Sequence, residues 1–264
     1  MLRYIEKLDV EGRYSEVDGA VGAWRIAKKS APANVRDEFE ARLRISLIYH
    51  DAALEGEVLT HSEIKAAIDP TIISDTSLIP SYETIAAFNE ACDFGDQLSK
   101  GKNKPLKVET LREICGLLNA AEKAKGVPYR KANPLHRLYY HEIAPTEKIS
   151  YQMRKFGEWL ESSSAKNLHP IERAAEAHHR LMRVSPWAKR NGRTARIMAN
   201  AILQQADYPR AIIHSIDRQS YFEALRGEVA ALVWIYLEAV ETTALSATQV
   251  YDEAARGPRR RRRA

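Results

Sequence analysis

Cysteine is nearly absent: Cys92 and Cys115 are the only two in 264 residues. That excludes a disulfide framework and points to buried, reduced thiols in a cytoplasmic protein. Long apolar runs are missing too. The longest, residues 229–236, falls well short of the ~20 residues that cross a bilayer, so no membrane span is expected. The N-terminal Met1-Leu2-Arg3-Tyr4-Ile5-Glu6-Lys7 is too charged for a signal peptide. The body also lacks an excess of either charge. Forty basic and 35 acidic residues give a net charge of +5, and Arg259, Arg260, Arg261, Arg262 and Arg263 alone supply five positive charges. With those set aside, 35 basic residues face 35 acidic ones. Nucleic acid is therefore a candidate partner through the arginine tail alone, and a dedicated basic binding face is excluded.

Helical periodicity fills most of the chain. Residues 35–54 place Phe39, Leu43, Ile45, Leu47 and Ile48 largely on one stripe, and residues 82–98, 108–121, 149–161, 171–184, 192–205 and 221–243 read the same way. Ser81 and Asp217 suit helix N-caps, and Pro170 suits a first helical turn. Between Pro134 and Pro145, Leu138-Tyr139-Tyr140-His141-Glu142-Ile143 has β-type composition and predicts a small hairpin. Residues 1–33 show weak periodicity and read as an irregular lead-in, 34–248 as one domain, and 249–264 as a disordered basic tail.

The chemistry concentrates in Ser185-Pro186-Trp187-Ala188-Lys189-Arg190-Asn191-Gly192-Arg193-Thr194-Ala195-Arg196. In its second half, Gly192 lets backbone approach a ligand, and a helix start directs free N–H groups at negative charge. Arg193 and Arg196, three residues apart, share a helical face and can fork onto phosphate oxygens. The bland alternative is a helix start whose arginines are solvated or paired to carboxylates. The first half holds no carboxylate and no histidine, so the segment is equipped to bind phosphate and poorly equipped to transform it. No metal-ligand pattern stands out: adjacent His178 and His179 point about 100° apart on a helix and cannot chelate together. His178 reads as a packing or hydrogen-bonding residue.

These residues resemble the Fic (Fido-fold) family, whose pattern is H-x-x-x-x-x-I-H-P-F-x-[D/E]-G-N-[G/K]-R-x-x-R. Ala206-Asp207-Tyr208-Pro209 and Arg218-x-x-Tyr221 resemble the turn and helix that follow it. Arg130-Lys131 and the hairpin resemble the family's flap, which holds a protein target. Asp51-Ala52-Ala53-Leu54-Glu55-Gly56 resembles the inhibitory motif S/T-x-x-x-E-G. The resemblance implies an all-α Fic/Fido-type helical bundle with a small β-hairpin flap, running from an inhibitory-motif-like helix near 43–56 through a core at 80–243. It also implies AMP transfer from ATP to protein hydroxyls.

Three departures alter that expectation. Ser185 stands at the general-base position, and a hydroxyl oxygen is too weakly basic to accept a proton at neutral pH; loss of a positioned base removes a factor of ~10²–10⁴. Lys189 replaces the Mg²⁺-holding carboxylate, and an ammonium has no lone pair to give, which puts Mg²⁺ in doubt. Arg190 replaces a glycine. The expectation is a degenerate Fic protein whose Lys189, Arg190, Asn191, Gly192, Arg193 and Arg196 hold ATP, another nucleotide or phosphate, and whose Glu55 inhibits by pairing with Arg196. Lys189 and Arg190 could neutralise a diphosphate without metal, or be exposed cations on a drifting loop. The alternative is an AMP transferase working by a histidine-independent route.

Overall fold

A computed structural model describes residues 10–69, 71–72, 81–100, 106–120, 127–134 and 142–256. Among these residues the chain is helical and contains no strand. The helices are α1 (Val10–Ser30), α2 (Ala33–Leu54), α3 (His61–Ile68), α4 (Tyr82–Lys100), α5 (Val108–Leu118), α6 (Ile149–Glu161), α7 (Ser163–Lys166), α8 (Pro170–Val184), α9 (Asn191–Gln205), α10 (Arg218–Arg226) and α11 (Val229–Arg256). The all-α expectation holds. Of the hairpin expected over 138–143, residues 138–141 lie outside the described residues, as do His136 and the arginine run 259–263, and residues 142–143 form no strand.

The core is built around α9, whose residues from Asn191 to Leu203 are all buried. Helices α8, α4 and α5 pack around it. Such a helix has no solvent face, so the polar groups it carries must find internal partners. That requirement generates the site. Local signals set the ends of the surrounding helices: Thr60 and Glu63 form a reciprocal capping box on α3. Pro170 opens α8 with His169 as N-cap.

The structure corrects three boundaries. Within the stretch read as an irregular lead-in, Val10–Ser30 is α1, packed along α11. Val17, Val21, Trp24 and Ala27 form its buried stripe, and Ala31 is buried just past its end. Arg25 donates to the carbonyls of Ala206 and Asp207, and Tyr208 donates to Asp18 at 2.6 Å. Tertiary packing thus makes a helix that weak local periodicity does not announce. The tail likewise stays helical to Arg256, because Val240, Ala244, Ala247 and Tyr251 continue one buried face. The stretch 221–243 is two helices, parted at Gly227. By length and composition α11 could cross a bilayer. Here it is a core helix against α1, α8 and α10.

The C-terminal half of α2 is held from behind. The Arg218 Nε donates to the Leu54 carbonyl at 2.9 Å. The His50 Nδ1 accepts from the Ser215 amide at 3.2 Å, and its ring stacks on His214 with centroids 4.4 Å apart. Burial and the neighbouring His214 lower the His50 pKa, with Asp217 opposing. The neutral ring is favoured in the folded state, so this contribution is present above the unfolded value of 6.5 and lost as pH falls through the depressed folded value. Melting temperature should fall between about pH 7.5 and about pH 5.5, and less steeply in His50→Gln. Identical slopes would refute the contribution.

Candidate anion site at the start of α9

Ser185 ends α8 in the left-handed region, at φ 44° and ψ 62°. Its amide bonds the Leu181 carbonyl at 2.8 Å and its hydroxyl donates to the Met182 carbonyl at 2.9 Å. The Ser185 side chain is therefore buried and engaged with its own helix. Trp187 is buried and anchors the loop. The Asn191 amide closes that loop on both sides, accepting from the Trp187 N–H at 3.0 Å and donating to the Trp187 carbonyl at 2.8 Å. Asn191 thus shapes the loop here, where the sequence placed it among the anion contacts.

Arg190 precedes α9 at φ 67° and ψ 13°. This is the left-handed region that favours glycine, and here it carries a guanidinium. Lys189 lies exposed on the loop, and its carbonyl meets the Cys115 thiol at 3.9 Å. Burial pushes Cys115 up to about 12, partly offset by hydrogen bonds, so it is no thiolate nucleophile at neutral pH.

From the first turn of α9, Arg193 and Arg196 face the end of α2. Asp51 receives both: Oδ1 accepts from the Arg193 Nε at 2.9 Å, and Oδ2 from the Arg196 Nε at 2.6 Å. The Arg196 NH2 donates to Glu55 at 2.6 Å. The Arg193 NH2 donates to Glu57 at 2.7 Å, and the other oxygen of Glu57 lies 3.4 Å from Arg190. Three guanidiniums therefore meet three carboxylates from one short segment. Burial opposes the charge on Arg193 and Arg196, but Asp51 and the glutamates outweigh it and raise both pKa values. Gly192 leaves room for the pair: a Cβ there would lie 2.7 Å from the Glu55 carboxylate and 2.9 Å from the Arg196 NH1, so those side-chain ends would have to shift.

A second layer supports Arg196. Its NH1 donates to the Tyr221 hydroxyl at 2.9 Å. His178, fully buried, bridges Tyr221 at 3.0 Å and Tyr236 at 2.8 Å. Burial pushes Tyr221 up to about 12, with Arg196 opposing, so its hydroxyl stays neutral. His178 is thus a hydrogen-bonding residue, as its place on the helix predicts. On the other side of the loop, Arg130 donates through Nε to the Ser185 carbonyl at 2.8 Å and also bonds Asn133 and the Ala144 carbonyl. It joins the turn at Ser185 to both segments flanking residues 135–141.

Residues 105–203 match the model of the Fic/DOC family. The match takes in Ser185, the loop that follows it and α9 as far as Leu203. It is similar to "Protein adenylyltransferase Fic" of Nematostella vectensis, 29% identical over 77% of this chain and 49% of that protein. The chain spans about half the length of such curated relatives, 48% for the Aedes aegypti protein. Its fold matches a Fic-domain signalling protein from Bacteroides thetaiotaomicron, with TM-score 0.75, 19% identity and coverage of 91% of this chain and 97% of that one. It also matches Fic-1 from C. elegans, with TM-score 0.77, 21% identity and coverage of 94% and 74%.

Within this Fic fold the structure brings together Arg190, Gly192, Arg193 and Arg196 with Glu55. Of the other two carboxylates, Asp51 enters the motif only at its Ser/Thr position, with no partner implied, and Glu57 lies outside it. A glutamate just past a helix-ending glycine, opposite an arginine-rich loop, is the signal that could have found Glu57. Substituting Asp51 by Ala strips an anionic partner from two buried guanidiniums, and should cost about 3–5 kcal/mol in urea unfolding. Glu57→Gln, at the solvent-exposed edge, should cost less than about 1 kcal/mol. Equal costs would refute Asp51 as the central partner.

Proposed function

We propose that this Fic protein keeps a nucleotide phosphate-binding loop, transfers little or no AMP, and acts by binding, as a regulator or as a partner of an active relative. The observation that carries the reading is the pairing of intact anion-binding chemistry with an inert base position. Arg193 and Arg196 fork onto carboxylates through the same groups that would take phosphate oxygens. The Ser185 hydroxyl meanwhile donates to Met182, and among the described residues no histidine or carboxylate hydrogen-bonds to it. ATP is the nucleotide favoured by kinship with proteins named adenylyltransferases.

Mg²⁺ does not fit the side chains in the loop. An ammonium at position 189 and a guanidinium at position 190 offer no lone pairs where a hard cation needs oxygen. Both would instead offset phosphate charge directly. The two free cysteines are buried, in keeping with a cytoplasmic location. A protein target at the flap and a nucleic-acid contact through the arginine tail belong to the same proposal.

A second reading, AMP transfer by a histidine-independent route, is favoured by the names of the relatives. Positioning and charge stabilisation alone carry part of phosphoryl-type chemistry. Two measurements separate them. A Glu55→Gly chain should bind ATP more tightly than the unsubstituted chain, and EDTA should leave that affinity unchanged. Radiolabelled ATP with cell lysate should yield no labelled protein. Labelled product that vanishes in Arg193→Ala would establish the transferase, and strict Mg²⁺ dependence would remove the metal-free site.

A further inference from the structure

Each arginine of the site uses two faces. The Nε atoms of Arg193 and Arg196 both bind Asp51, which is buried within the body of α2. Their NH2 atoms reach past the helix end, to Glu57 and Glu55 respectively. The Nε side is thus a fixed bracket, and the NH2 side is the one a ligand could take over. Glu55 and Glu57 are 16% and 39% exposed, against 2% for Asp51, so the exchangeable carboxylates are also the ones solvent can reach.

We propose that Glu57, with Arg190 as an added anchor, is a second point of closure on the phosphate-binding arginines, so that together with the Glu55–Arg196 pairing that the resemblance implies it makes a two-point lock. The lock rests on the phosphate-binding reading above and adds how that site is kept closed. Arg193 takes its NH2 partner from Glu57, not from Glu55, so removing Glu55 uncovers Arg196 and leaves Arg193 covered. Glu57 is aimed by the chain reversal at the end of α2. The Glu57 amide bonds the Ala52 carbonyl at 2.9 Å and the Gly56 amide bonds the Ala53 carbonyl at 3.1 Å. Gly56 sits between them at φ 86°, the left-handed residue such a reversal needs. Space around Gly56 is open, so its requirement is torsional rather than steric. Glu57 then spans Arg193 and, at 3.4 Å, Arg190. Arg190 stands where the resemblance predicts glycine, so the replacement strengthens closure. Two carboxylates two residues apart occupy two guanidinium arms, and a diphosphate carries matching charge to displace them together.

The test is calorimetric titration of the full chain with ATP, comparing unsubstituted protein, Glu55→Gln, Glu57→Gln and the double variant. The lock predicts that the double variant binds about tenfold or more tighter than Glu55→Gln, and that the two substitutions together exceed the product of their separate effects. Glu55→Gln binding as tightly as the double variant overturns the lock and leaves the phosphate reading standing. So does an unsubstituted chain that already binds with the affinity of the double variant. If none of the four binds ATP, the phosphate reading falls and the lock falls with it.

Discussion

A single buried carboxylate, Asp51, holds two guanidiniums from the central helix by their Nε atoms. Charges removed from water need partners of opposite sign and good geometry, and here each oxygen of one aspartate meets a different arginine within 3 Å. Because α9 is buried along nearly its whole length, neither arginine can turn to solvent. Asp51 therefore fixes where α2 lies against α9. The contacts beyond it, at Glu55, Glu57 and Arg190, depend on that register. So does the hydrogen-bonded chain behind it, from Arg196 through Tyr221 to His178 and Tyr236.

The other elements brace this arrangement from separate directions. Arg218 and the His50–His214 stack hold the rear of α2. The Asn191 amide and the Trp187 ring fix the loop before α9. Arg130 ties that loop to the segments on either side of residues 135–141. Local backbone geometry and long-range ion pairing agree at the same few residues, as expected of a minimally frustrated site.

Much of this was legible in the sequence, for identifiable reasons. Helices with strong amphipathic stripes, such as α4 and α8, announce themselves by spacing. The contact between Glu55 and Arg196 followed from a resemblance at both ends. Helix α1 escaped because its stripe is narrow, Gly19 and Gly22 lower its helix propensity, and its stability comes from packing on α11. Glu57 escaped because its role depends on a chain reversal at Gly56 that no periodicity encodes. Arg130 was read only as part of the flap; its tie to the Ser185 turn escaped because its partners are largely backbone carbonyls, which every residue has and which no residue pattern marks.

Arg190 carries one further implication. A left-handed residue with a side chain costs about 1 kcal/mol relative to glycine. Stability alone would thus favour glycine here, and a guanidinium persists against that gradient. Whatever retains it must act through charge or reach, and variants isolated solely for thermal robustness would tend to discard it. A library sorted by heat resistance and again by ligand capture would therefore pull this one position in opposite directions.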